Sequence, residues 1–112
     1  MQQLGQHIES TGWDGIWLAD HFMPNAEDTS APWPEAWVTL SALAMNIPRI
    51  RLGTLVTGNT YRHPAVLAKM AATLDHISGG RVVLGIGSGW QENEHEKYGI
   101  SFYDVSERLK RL

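Results

Sequence analysis

Gly15-Ile16-Trp17-Leu18-Ala19, followed at once by Asp20-His21, is an unbroken apolar run that ends on two polar residues. A short run without alternation fits a strand buried on both faces, the environment a parallel sheet provides. Just before it, Gln3 to Thr11 carries Leu4 and Ile8 on one helical face and stops at Gly12. Just after it, His21 to Pro34 is a polar, proline-bearing loop. Glu35 to Asn46 then sets Trp37, Leu40 and Ala44 at helical spacing, and Pro48 ends that helix.

The same pattern recurs downstream. Ile50 to Thr57 is a second strand, rich in apolar and β-branched residues, and Gly58 to His63 is a loop. Pro64 stands where a first helical residue is favoured. Leu67, Met70, Ala71 and Leu74 mark one helical face, and Gly79-Gly80 closes the helix. Arg81 to Ile86 is a third strand, Gln91 onward is helix-prone, and Asp104 with Glu107 forms a capping box for a last helix through Val105, Leu109 and Leu112. Strand starts about 30–35 residues apart are those of successive strand–helix units in a right-handed parallel α/β fold. Both a flavodoxin-like sheet and a (β/α)8 barrel use such units. A barrel takes about 250 residues, and this chain has 112. Three strands alone leave two open sheet edges, which soluble proteins avoid. The expectation is a single stretch, residues 1–112, from a fragment or truncated product.

Composition narrows the function. Hydrophobic residues are 43% and charged residues 19% of the chain, as in soluble globular proteins. A net charge of -3 offers no basic field for nucleic acid. The absence of cysteine excludes disulfides, thiolate metal sites and cysteine nucleophiles. No apolar run reaches the roughly 20 residues of a membrane helix, and the polar start lacks the apolar stretch of a secretory leader. These features predict a cytoplasmic protein. Five tryptophans suggest a lined pocket or interface.

Four places carry candidate chemistry. Asp20-His21-Phe22 leaves the first strand at its carboxyl end, where parallel α/β folds gather their sites. A histidine there can give or take a proton; the plainer reading is a loop histidine beside a capping Asp20. Gly85-Ile86-Gly87-Ser88-Gly89-Trp90 leaves the third strand, and its glycines allow close backbone approach to a phosphate or ring. Trp90 replaces the last glycine of a dinucleotide fingerprint, so the motif speaks weakly for NAD, and a tight turn explains it equally well. Thr54 to Pro64 crowds threonines, Asn59, Arg62 and His63 at the second strand end; the alternative is a solvated loop with Arg62 exposed. Glu92 and His95 stand three apart as in di-iron bundles, but one pair cannot fill a coordination shell. Glu92, Glu94 and Glu96 are expected to form a solvated helix face, and no metal site is expected.

At these three strand ends the sequence resembles the bacterial luciferase-like monooxygenase family, closest to the branch that uses the 8-hydroxy-5-deazaflavin coenzyme F-420. The matching stretches are Gly12 to Phe22, Ile50 to Thr57, Tyr61 to Lys69, and Ser78-Gly79-Gly80-Arg81 running into Gly85 to Trp90. The resemblance spans nearly the whole chain, and the motifs are specific in this order and spacing. It implies a partial (β/α)8 TIM barrel, from helix one through helix four with three parallel strands. It implies an oxidoreductase that exchanges hydride between coenzyme F-420 and a small organic substrate, with FMN the alternative cofactor. By resemblance, His21 is the catalytic residue, a proton donor or acceptor beside the ring. Asp20, Leu55, Val56, Thr57, Ser88, Gly89 and Trp90 fall at cofactor-binding positions, with Leu55–Val56 at a bulge where many members carry a non-prolyl cis peptide. Some deazaflavin dehydrogenases have a catalytic Glu where Trp90 stands and a Trp where Asn25 stands. These departures speak against sugar-phosphate dehydrogenation and leave the oxidoreductase reading intact. A second reading is a non-catalytic half-barrel that works by self-assembly or with a partner chain carrying the other half.

Overall fold

A computed structural model describes residues 2–112. Its elements are α1 (Gln2–Ser10), β1 (Gly15–Asp20), α2 (Ala36–Asn46), β2 (Arg51–Gly58), α3 (Pro64–Ser78), β3 (Val82–Val83), β4 (Ile86–Gly87), α4 (Glu92–Tyr98) and α5 (Val105–Lys110). β1 pairs with β2, and β3 and β4 both pair with the other side of β2, all parallel. The alternation read from the sequence is therefore the alternation of the fold, and β2 is its central strand. Among the described residues, no helix is long and apolar enough to cross a membrane.

The helices end where local chemistry stops them. Glu35 caps α2 by accepting from the Val38 amide, and Asp104 caps α5 by accepting from the Glu107 amide at 2.9 Å. Pro64 opens α3 behind the cap His63. Gly79 ends α3 with φ of 70°, a left-handed conformation that a side chain resists. The core lies between the sheet and helices α2 and α3. Ile16 and Leu52 from the strands meet Trp37, Leu40, Leu43, Ala44, Leu67 and Leu74 from the helices, all buried. Gly5 brings α1 close to Ile47 at the end of α2: a β-carbon there would stand 2.4 Å from Ile47 Cδ1.

One expected strand departs from the reading. Arg81 to Ile86 is not continuous but two short pieces, Val82–Val83 and Ile86–Gly87. The register supplies the reason. Gly53 faces Val83 and Thr57 faces Ile86, so β2 uses one residue more than its neighbour between those pairs. Against β1, Leu18 faces Thr54 and Asp20 faces Thr57, again one extra in β2. The surplus is a bulge at Leu55–Val56, whose peptide bond is cis, as the resemblance implied. It breaks the ladder that a continuous third strand would have shared. Gly85 bridges the gap: its carbonyl accepts from the Thr57 amide at 2.8 Å and from the Thr54 hydroxyl at 2.9 Å.

Candidate functional site at the carboxyl strand ends

The pairing that builds the sheet also gathers the three candidate segments. Asp20 lies beside Thr57, Thr57 beside Ile86, and Gly58 beside Gly87. From this shared edge, His21 and Trp90 approach each other edge to face, with ring centroids 5.6 Å apart. Leu55 and Val56 are both turned outward at the bulge, 68% and 41% exposed. A regular strand turns alternate residues to opposite faces; the bulge is what presents two neighbours to solvent. Trp90, 58% exposed, adds a third apolar surface.

Asp20 and Thr57 sit behind this surface, both fully buried. Arg62 binds both oxygens of the Asp20 carboxylate, at 2.6 and 2.9 Å, and also pairs with Glu35. The fork of a guanidinium suits such a bidentate pair. Burial works against the charge of Arg62, but the two carboxylates outweigh it and hold the guanidinium above its ordinary range. Thr57 accepts from the Trp37 indole at 3.1 Å and donates to Thr54 at 3.0 Å. The polar residues from Thr54 to Pro64 therefore point largely into the protein. Thr60 meets His95 Nε2 at 2.7 Å, the Asn59 amide donates to the Arg108 carbonyl at 2.8 Å, and His63 caps α3. The alternative of an exposed Arg62 is overturned, because its side chain is only 11% exposed. Ser88 and Gly89 are half-buried on the loop out of β4, where Gly89 has φ of 76°.

A residue taken for solvated face lies at the centre of the site. Glu94 and His95 are fully buried, while Glu92 and Glu96 are exposed. The correction follows from helix geometry. Positions two apart on a helix stand on nearly opposite sides, so Glu92, Glu94 and Glu96 cannot share one face. That spacing was the available signal in the sequence. Glu94 Oε2 lies 2.8 Å from His21 Nδ1 and accepts from the Tyr61 hydroxyl, and Glu94 Oε1 accepts from the Phe22 amide. Burial alone raises the Glu94 pKa, but these donors, Tyr61 foremost, hold it below its usual range. Burial, then the Glu94 carboxylate, pushes the Tyr61 hydroxyl well above its usual range. Tyr61 thus remains a donor, and it also lies 3.2 Å from His21 Nδ1. Tyr61 and Glu94 were absent from the sequence reading as site residues.

Among the described residues there is no cluster of histidine and carboxylate side chains suited to a metal ion. A cavity of about 610 Å³ borders the loop after β2, lined in part by Thr60, Arg62, Pro64, Ile86, Tyr103 and Arg111. His21, Val56 and Trp90 do not line it.

A parallel α/β unit whose polar groups meet at the carboxyl ends of its strands is the frame of a barrel enzyme site. The family model for luciferase-like monooxygenase matches residues 1–112, and the chain belongs to that family. It is 42% identical over 106 residues to an F420-dependent glucose-6-phosphate dehydrogenase of Amycolatopsis mediterranei, covering 93% of this chain and 31% of that protein. It is 39% identical over 94 residues to a 5,10-methylenetetrahydromethanopterin reductase of Methanolobus tindarius, covering 84% of this chain and 26% of that one. The structure of an F420-dependent secondary alcohol dehydrogenase, in complex with an F420–acetone adduct, superposes with a TM-score of 0.86 at 28% identity. That match covers 98% of this chain and 33% of that one. The chain thus spans about a third of the length of the relatives it matches, and the fold is the corresponding part of a luciferase-like TIM barrel.

Proposed function

We propose that this chain forms the cofactor mouth of a deazaflavin-dependent oxidoreductase that exchanges hydride between coenzyme F-420 and a small organic substrate. One observation carries the reading. The bulge leaves Leu55 and Val56 both exposed, at the same carboxyl strand ends where Asp20 pairs with Thr57 and Thr57 with Ile86 and from which His21 and Trp90 meet edge to face. An apolar floor at a polar strand end, with one titratable ring at its rim, suits a flat redox ring better than a sugar or a phosphate alone. The F420-dependent relatives support the same reading.

When bound there, the deazaflavin supplies two-electron hydride exchange; the protein supplies binding, orientation and electrostatics. Leu55 and Val56, both exposed at the bulge, would hold the ring by apolar contact. Trp90, with Ser88 and Gly89, would help to hold it from the loop after β4. Asp20 and Thr57 act from behind: their buried hydrogen bonds fix Arg62, Trp37 and the end of β2, so the floor stays rigid. Holding donor and acceptor in one geometry is the main catalytic lever. His21 would hold or move a proton on its imidazole beside that site.

The test is titration of the chain with coenzyme F-420 and, separately, with FMN, reading tryptophan fluorescence. Quenching by F-420 that weakens at least about tenfold in a Val56→Glu variant, the order expected for a charge set against an apolar ring, supports the proposal. Stronger quenching by FMN moves the cofactor to FMN. Quenching by neither, with the chain folded by circular dichroism, overturns it.

A further inference from the structure

We infer that Glu94 is a positioning residue that locks neutral His21 in its Nδ1–H tautomer, so that Nε2, which meets no hydrogen-bond partner among the described residues, is left as a bare proton acceptor. The inference concerns His21 in the role proposed above, but its geometry stands without any cofactor. Hydrogen-bond accounting at a single carboxylate supports it. An ionised carboxylate only accepts. Glu94 is fully buried, and three groups converge on it: His21 Nδ1, the Tyr61 hydroxyl and the Phe22 amide. The amide can only donate. The Tyr61 hydroxyl donates to Oε2, the same oxygen that meets His21 Nδ1. An oxygen facing two groups in this way is satisfied only if both are donors, which places the ring proton on Nδ1. The opposite tautomer would set a bare nitrogen 2.8 Å from a fully buried carboxylate oxygen, a repulsive contact.

The surroundings hold this arrangement in place. The Phe22 amide ties the carboxylate to the chain segment that carries His21 itself, one residue along. Tyr61 closes the other side, packing against Phe22 at 5.1 Å between centroids and against His95 at 4.9 Å. His95 is occupied elsewhere, with Nδ1 2.7 Å from the Gln91 carbonyl and Nε2 2.7 Å from Thr60, so it does not compete for Glu94. Trp90 packs edge-on against the His21 ring and limits its rotation. The outcome is a histidine whose direction of proton transfer is chosen by a carboxylate on a different element, as a second group orients the base in other acid–base sites.

The experiment is a long-range proton–nitrogen correlation spectrum of the nitrogen-15-labelled chain, at a pH where the ring is neutral. The His21 signals are assigned by their loss in His21→Gln. The expected wild-type spectrum has a protonated Nδ1 and a bare Nε2 for His21. In Glu94→Gln the ratio of Nδ1–H to Nε2–H rings falls by roughly tenfold, the margin between a charge-assisted and a neutral hydrogen bond. In Tyr61→Phe, which keeps the carboxylate, the tautomer stays as in wild type. A wild-type ring protonated on Nε2 overturns the inference whether or not either variant folds. So does an unchanged ratio in a folded Glu94→Gln, or a reversal in Tyr61→Phe. A chain that passes this test yet binds neither F-420 nor FMN removes the proposed function and leaves the tautomer lock standing.

Discussion

His21 owes its position to the residue before it. At the end of β1, Asp20 is drawn fully inside by the two-pronged grip of Arg62. Successive residues at a strand end face opposite ways, so burying Asp20 sends His21 toward the mouth, where its side chain keeps 14% exposure. The two residues form one unit, with the buried Asp20–Arg62 pair as the mount for the imidazole to which we assign the proton transfer. From this follows a separation of effects. His21→Ala removes one of three donors to Glu94 and no core packing, so thermal unfolding should show a loss of about 1 kcal/mol, that of one hydrogen bond. Turnover in an active preparation should fall by about 10²–10⁴, the range of general acid–base catalysis. Comparable losses in both measurements would assign His21 to structure.

At the scale of the element, β2 does more than its length suggests. Among the described residues it pairs with every other strand, and it carries the bulge that leaves Leu55 and Val56 exposed. Its bulge is possible because Gly85 lets the opposite segment lie against it. A β-carbon at Gly85 would stand 2.2 Å from the Thr54 carbonyl oxygen, a backbone atom that cannot rotate away. Gly85→Ala should therefore lower the urea midpoint by the equivalent of about 1–3 kcal/mol, as overpacking does, with the slope unchanged. It should weaken cofactor quenching in parallel, since the same displacement tilts Leu55 and Val56. An alanine variant as stable as wild type would mean that the bulge is not braced from this side. The helices and the first two strands were legible from the sequence, because apolar spacing, Pro64, Gly79 and Asp104 each mark an element locally. The split of the third strand was not legible, because a bulge is set by registration against two partners. Arg81 shows the same limit. Placed in sequence only as the start of the third strand, it donates to the carbonyls of Ala44, Ile47, Ile50 and Ser78 and ties the ends of α2 and α3 to the sheet. The convergence of the three strand ends was legible because topology alone brings them together. The Glu94–Tyr61–His21 contacts span 33 to 73 residues of sequence and exist only once the helix after β4 folds back.

At the scale of the whole molecule, the same long-range contacts hold the site end of the sheet together. Glu94 on α4 binds the start of the loop after β1 through Phe22 and His21, and the loop after β2 through Tyr61. The segments that follow β1, β2 and β4, which also pack through Phe22, Tyr61 and Tyr98, thus meet on one carboxylate, so its ionisation is linked to folding. The Glu94 pKa is lowered in the folded chain, and an unfolded glutamate titrates near about 4.3. The folded state therefore binds its proton later than the unfolded state as the pH falls. The contribution is complete above about 4.3 and is lost progressively below it, through the folded pKa. Unfolding midpoints in urea, taken stepwise from neutral pH into this acid window, should fall in the wild-type chain. Glu94→Gln cannot titrate at this position. Its midpoint should be lower at neutral pH, where the charge-assisted bonds are missing, and should change less across the acid window, so that the two curves converge. Parallel curves would show that Glu94 adds nothing to the linkage and that the three connections are held by packing around Phe22, Tyr61 and Tyr98 instead.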